Sequence, residues 1–323
     1  MSFMEYQVMG YKSPLYGRRT GQFKILPFNF FETKEYFSGF KSVDMAIIYG
    51  ITGGIPHYIA QMNQNLTIED NIKKNFFDTS SFLFEEPSNL LKQEVREPAI
   101  YNTIIKAIAT GSSKSSEIAS KIGLESSALA TYIANLISLG IVKKETPVTE
   151  DSLRKTIYSV DDNMFRFWYL FLPDNMAAIQ SNMGERAYKK IEPQISDFMG
   201  KVFEDICKQY LWELNKKEQS AILFTNLGRW WGNNPIKKEE AEIDILAFEG
   251  KDSAIFGECK WTNEKVGIDV LETLIERSHL FNYRNSYYYL FAKTDFTDGL
   301  KTKAKELGNV TLVTFEEIAN FKI

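Results

Sequence analysis

Three charged residues interrupt an otherwise apolar pair of strands. The stretch AEIDILAFEGKDSAIFGECKW, residues 241–261, reads as a hairpin around a glycine-containing turn, with Asp244, Glu258 and Lys260 inside the strands. Charges in such places are costly unless a partner or a ligand takes them up. Residues i and i+2 of a strand share a face, so Glu258 and Lys260 point together and Cys259 points away. A two-residue turn at Gly250-Lys251 would set Asp244 and Glu258 on opposite faces. A three-residue turn, Gly250-Lys251-Asp252, pairs Glu249 with Ser253 and therefore Asp244 with Glu258. Gly250 adopts the left-handed region without strain, so the odd-length register is expected. Carboxylate oxygens on rigid backbone suit Mg²⁺ or Mn²⁺, and a lysine beside them can orient water and offset charge on a phosphate. The competing explanation is an ion pair of Glu258 with Lys260 on a solvent-facing sheet.

The flanking segments must position these groups. SDFMGKVFEDICKQYLWEL is an amphipathic helix whose buried face carries Met199, Val202, Phe203, Ile206 and Tyr210. Glu204 lies at the border of that stripe. TNLGRWWGNNPIKKEE follows as a turn-rich connection. Beyond the hairpin, GIDVLETLIERSHLF is a helix, NSYYYLFAKTDF a strand, DGLKTKAKELG a helix and VTLVTF a last strand. This order predicts an α/β sandwich with a mixed sheet over residues 173–323.

The chain before it divides in two. Residues 1–30 are punctuated by Gly10, Pro14, Gly17, Gly21 and Pro27, and residues 31–95 have mostly helical spacing. GITGGIPHYI breaks that helical segment, with Gly53, Gly54 and Pro56 stopping one helix and seating the next. His57 in this hinge is assigned no role. Over 96–172, PAIYNTIIKAIATG, SSEIASKIG (N-cap at Ser115 or Ser116) and ESSALATYIANLISLG are three helices. The last carries Leu129, Ile133, Leu136 and Ile137 on one stripe. IVKKETP and RKTIYSV then form two short strands, which completes a winged helix-turn-helix. Its would-be recognition helix, 125–139, contains no Lys or Arg. Only Lys143, Lys144, Arg154 and Lys155 in the wing can meet phosphates, so weak, salt-dependent DNA contact is expected, with packing between domains as the leading reading. FRFWYLFLPDN is read as core packing rather than a base-stacking platform.

Composition sets the outer limits. The 323 residues are 44% hydrophobic and 25% charged with a net charge of −4, so bulk charge does not drive the chain onto nucleic acid. The N-terminus lacks a basic then apolar leader, and no apolar run approaches the ~20 residues that span a bilayer. Cys207 and Cys259 make no disulfide framework, and a cytoplasmic protein is expected.

The order Glu204 on a helix, Asp244 on a strand and Glu258-Cys259-Lys260 on the next resembles the PD-(D/E)xK nuclease fold, although Ile243 stands where the doublet has proline. The resemblance implies metal ligation by Glu204, Asp244 and Glu258, with Asp244, Glu258 and Lys260 catalytic and Mg²⁺ or Mn²⁺ as cofactor. Over the whole chain, KSPLYGRRTGQFKILPF, YGITGGIPHYI, FRFWYLF and EIDILAF…GECKW occur in the order found in archaeal-type ATPases, AAA+-related P-loop proteins with a C-terminal nuclease-like domain. That likeness implies that residues 1–95 are a remnant of the ATPase lid, and that Arg18 and Arg19 contacted nucleotide or a neighbouring subunit in an intact relative. No G-x-x-x-x-G-K-[ST] and no Walker B strand occur here, so the chain by itself should not hydrolyse ATP. A chain that has lost its ATPase core, or one piece of a split gene, is expected to work with a separate P-loop subunit or to self-associate. Two functions remain: a metal-dependent nuclease module acting on DNA phosphodiesters, or a non-catalytic DNA- or protein-binding adaptor.

Overall fold

The computed structural model describes residues 11–13, 16–18, 20–21, 23–37, 39–149, 155–235 and 237–323. Arg19 and Arg154, named above as possible phosphate contacts, lie outside them. The chain forms two compact units, and neither is continuous in sequence. One contains residues 1–28, 47–145 and 156–193, and the other contains 29–46, 146–155 and 194–323. Compactness therefore groups 47–95 with 96–145 instead of separating them. No helix of the described residues is long and apolar enough to cross a membrane.

The helices begin with α1 (Phe30–Tyr36), α2 (Ser42–Thr52), α3 (Pro56–Ile59), α4 (Ile68–Phe76) and α5 (Phe82–Glu94). Helix α2 stops at the paired glycines, and Pro56 opens α3, as the hinge sequence indicates. Helices α6 (Pro98–Ala109), α7 (Ser115–Ile122) and α8 (Ser126–Ser138) follow. The antiparallel pair β1 (Val142–Glu145) and β2 (Ile157–Val160) comes after them. The N-cap of α7 is Lys114, not Ser115 or Ser116. The Glu117 carboxylate reaches back to accept from the Ser113 and Lys114 amides at 3.0 and 3.1 Å, which satisfies free helix-end donors without a serine hydroxyl. On α8, Leu129, Ile133 and Leu136 are buried, but Ile137 is 38% exposed, one residue beyond the stripe. Helix α9 (Asn163–Phe171) buries Phe165, Phe167, Trp168, Tyr169 and Phe171, so its aromatics are core and offer bases no free ring face.

The second unit is built on a mixed sheet. After α10 (Met176–Gln180) and α11 (Gly184–Ile191) of the first unit, α12 (Ile195–Lys216) runs as one 22-residue helix. Strands β3 (Asn226–Asn234), β4 (Glu239–Glu249) and β5 (Ser253–Lys260) are followed by α13 (Ile268–Ser278), β6 (Asn285–Ala292), α14 (Asp298–Leu307), β7 (Val310–Thr314) and α15 (Phe315–Asn320). The sheet order is β3-β4-β5-β6-β7, antiparallel through β5 and parallel from β5 to β7. Strand β3 corrects the expectation of a turn-rich connection. Tryptophan favours the pleated surface of a strand, and Trp230 is buried in the sheet core while the flanking glycines do not interrupt pairing. Ile243, Leu246, Phe256 and Leu290 of the sheet pack with Trp230 and with Leu271 and Leu274 of α13. These residues fix the face on which the site is built.

Candidate functional site

The β4–β5 turn has the odd length. Glu249 pairs with Ser253, and Gly250 takes φ +65°, a conformation that would strain any residue with a Cβ. The ladder continues to Ile245 opposite Gly257, where close approach leaves no room for a side chain, since a Cβ on Gly257 would lie 2.9 Å from the Ile245 Cβ. Past that pair the two strands part. Strand β5 continues alongside β6 as far as Lys260 opposite Ala292, and β4 continues alongside β3. Asp244 and Glu258 stand at the first position of the split.

A bulge shapes the other side of Asp244. Gly228 pairs with Leu246 and Trp230 with Ile243, so the single residue Arg229 faces both Asp244 and Ile245. Two residues opposite one bend the strand and re-aim its side chains. Here the bulge lets Ile243 and Leu246, three apart, enter the same core cluster. The Asp244 carboxylate bridges the gap left by the ladder, and its Oδ2 accepts from the Cys259 amide at 2.9 Å.

Glu258 is nine-tenths buried. Its Oε1 accepts from Lys260 Nζ at 2.7 Å. Its Oε2 has no hydrogen-bond donor and lies 3.6 Å from Nη1 of Arg277, in the last turn of α13. Arg277 also donates to the Glu242 carbonyl at 2.9 Å. On α12, Glu204 is ion-paired with Arg229 at 3.6 Å and Lys208 at 3.9 Å, and Arg229 also binds the Glu242 carboxylate. Glu242 thus tethers both arginines, one through its side chain and one through its backbone.

The electrostatics follow from this crowding. Burial pushes the Asp244 carboxyl up to about 6, reinforced by the Glu258 charge and opposed by the Cys259 amide. Burial pushes Glu204 up to about 7, reinforced by Asp244 and opposed by Lys208 and Arg229. Burial draws the Lys260 ammonium down, but the charge and hydrogen bond of Glu258 together with Asp244 outweigh it, and the pKa lies above its ordinary value. Lys260 is therefore a fixed cation near neutrality, suited to holding an anion and not to accepting a proton. The Cys259 thiol meets that of Cys207, and burial raises both thiols, with the charges of Asp244 and Glu204 adding to the rise.

Of the residues singled out in the sequence, Asp244, Glu258 and Lys260 come together, with Glu204 close enough to feel the charge of Asp244. Among the described residues, no group of three or more His, Cys, Asp or Glu side chains could hold a metal ion. Sequence reasoning missed Arg229, Glu242 and Arg277. The one signal for Arg229 was its place between glycine and tryptophan in a segment able to form a strand. Arg277 gave none beyond being the cation of the last helical turn.

The candidate nucleic-acid surface of the first unit is differently made. Tyr132 of α8 donates to Glu97 at 2.9 Å and Asn135 to the Tyr101 hydroxyl at 2.7 Å. These groups line a cavity of about 580 Å³ with Glu94, Arg96 and Leu139. In the β1–β2 pair, Lys143 is paired with Glu145 at 3.6 Å, and it also meets Asp161 at 3.5 Å.

Residues 168–271 match a family, DUF234, described as archaeal and bacterial proteins of unknown function. That span covers Glu204, Arg229, Asp244, Glu258 and Lys260 and stops short of Arg277. The uncharacterized protein MJECL04 of Methanocaldococcus jannaschii is 32% identical over 325 residues, covering 99% of this chain and 70% of the relative. The solved structure of protein VC1899 from Vibrio cholerae aligns with a TM-score of 0.33 and 12% identity over 75% of this chain; the chain spans 55% of that protein's length. The chain belongs to the family of MJECL04.

Proposed function

We propose that this member of the family carries a PD-(D/E)xK-type site that hydrolyses DNA phosphodiesters with a divalent cation, Mg²⁺ or Mn²⁺. The carrying observation is the position of Asp244 and Glu258 at the split between β4 and β5, with Lys260 beside them. What supports such an ion is that Glu258 Oε2 is a buried anionic atom with no hydrogen-bond donor, next to Asp244, whose charge burial disfavours. Asp244 and Glu258 would hold the cation, with Glu204 next to them. Once bound, the cation would polarise a phosphoryl oxygen and acidify a water molecule. Lys260, held protonated by Glu258, would bind the phosphate and offset its developing charge. The Cys259 amide keeps the Asp244 carboxylate in one orientation, and the buried face of the sheet limits water around Glu258.

A second reading, a non-catalytic DNA- or protein-binding adaptor, is supported by the ion pairs that already surround these carboxylates and by the absence of a three-ligand group among the described residues. In both readings the winged-helix segment 96–172 acts as a packing or weak DNA-contact module. ATP hydrolysis, if the assembly has any, belongs to a separate P-loop subunit. The two readings separate in a plasmid-nicking assay run with Mn²⁺ titration. The nuclease reading expects cleavage by the wild type, loss of Mn²⁺ binding in Asp244→Ala and Glu258→Ala, and loss of cleavage with intact Mn²⁺ affinity in Lys260→Ala. Absence of cleavage by a protein that binds Mn²⁺ favours the adaptor.

A further inference from the structure

We infer that Arg277 is an internal cation that occupies Glu258 in the resting state and that a divalent metal must displace. The two Glu258 oxygens are used unequally. Oε1 takes a hydrogen bond from Lys260 at 2.7 Å, whereas Oε2 has only the Arg277 guanidinium at 3.6 Å, within ion-pair range and without a hydrogen bond. A buried carboxylate oxygen that faces a cation without bonding to it keeps its lone pairs available, and the weaker of its two cationic partners is the one that leaves at least cost. Arg277 also has somewhere to remain. Its Nη1 donates to the Glu242 carbonyl at 2.9 Å, two residues before Asp244, so a guanidinium released from Glu258 stays tethered at the rim of the site. Its side chain is 30% exposed against 11% for Glu258, so it is the more solvent-accessible member of the pair. The same side chain that neutralises Glu258 without metal becomes, with metal bound, a forked donor suited to a phosphodiester oxygen. The metal then adds charge to the site while the protein withdraws a charge of the same sign, so the resting unit is not left with a bare buried anion.

The inference rests on the metal reading above, and its test separates the two. Mn²⁺ affinity is measured by calorimetry and by the metal-induced rise in melting temperature for wild type, Arg277→Gln and Arg277→Lys. Removing a competing cation at ion-pair distance should tighten Mn²⁺ binding by about tenfold in Arg277→Gln and enlarge its Mn²⁺-induced Tm shift. Arg277→Lys, which keeps the charge, should bind as wild type does; if the Gln variant folds poorly, Arg277→Met repeats the removal of the charge and should tighten Mn²⁺ binding in the same way. A merely structural arginine would leave metal affinity unchanged or lower it when removed, and that result overturns the inference. Tighter binding in Arg277→Gln without cleavage by wild type sustains the exchange and removes the nuclease reading. Cleavage by wild type with equal Mn²⁺ affinities removes the exchange and leaves the nuclease. No Mn²⁺ binding by any of the three proteins removes both.

Discussion

The β4–β5 hairpin and helix α8 were both candidates to meet nucleic acid, and they distribute charge in opposite ways. The hairpin carries Asp244, Glu258 and Lys260 on the same strands as fully buried Ile243, Ile245 and Phe256, with Arg277 paired to Glu258 and Arg229 to the neighbouring Glu204. Helix α8 leaves Ser126, Ser127, Ala130, Thr131 and Ala134 exposed and carries no lysine or arginine. Its polar side chains Tyr132 and Asn135 bond to Glu97 and Tyr101 of the same unit. Packing alone can explain a neutral face with internally satisfied polar groups. Buried charges that oppose one another are not explained by packing, because apolar residues of the same size would be more stable there. On the function proposed above, the chemistry belongs to the sheet and a contact role to the helix.

The comparison can be broken most strongly at the core beneath the site. Phe256 is fully buried two residues before Glu258, so Phe256→Ala should lower the unfolding free energy by about 3–5 kcal/mol in chemical denaturation. Ile137→Ala, on the exposed side of α8, should change it by less than about 0.5 kcal/mol. Equal costs would mean that α8 is covered as fully as the hairpin.

A second test uses protons. Asp244 is raised from 3.8 to about 6 and Glu204 from 4.5 to about 7. Between the ordinary and the raised values the native state holds protons that the unfolded chain has released, so stability is greatest below about pH 4 on this account and declines as pH rises toward 7. The decline should reach a few kcal/mol for the interacting pair and flatten in Asp244→Asn, whose amide oxygen can still accept from the Cys259 amide. Denaturant midpoints at pH 5 and pH 8 check it. Saturating Mn²⁺ should reduce the loss at pH 8, because it supplies the missing counter-charge. A titration that leaves stability flat between those values would place both carboxylates in water.

The smallest effect is expected from the β1–β2 pair. Lys144 is exposed and Lys143 is paired with two carboxylates. Duplex binding measured by fluorescence anisotropy should therefore be weak, with a log–log salt slope of magnitude about 3 or less, and Lys144→Ala should lower that slope by about 1. Tight, sequence-selective binding at physiological salt would reverse the assignment of roles between helix and sheet.

The covalent sequence by itself determined the hairpin. Alternation placed Glu258 and Lys260 on one face, and a glycine able to take positive φ allowed the three-residue turn that pairs Glu249 with Ser253 and carries the ladder to Ile245 and Gly257, leaving Asp244 and Glu258 just past its end. It also determined the helices whose ends carry proline or glycine, and the burial of the aromatic run Phe165–Phe171, because those signals act over a few neighbouring residues. It could not place β3, whose glycines read as a turn until β4 offered a partner, nor the exposure of Ile137, which depends on how far the covering core extends. The bulge at Asp244-Ile245 belongs to the tertiary structure alone, because it appears only where β4 must satisfy the register of β3 on one side and β5 on the other. The arginine pairs are of the same kind. Arg229 lies 25 residues from Glu204 and Arg277 lies 19 from Glu258 in the chain, separations at which no local rule acts, and they meet only when α12 and α13 close on the sheet.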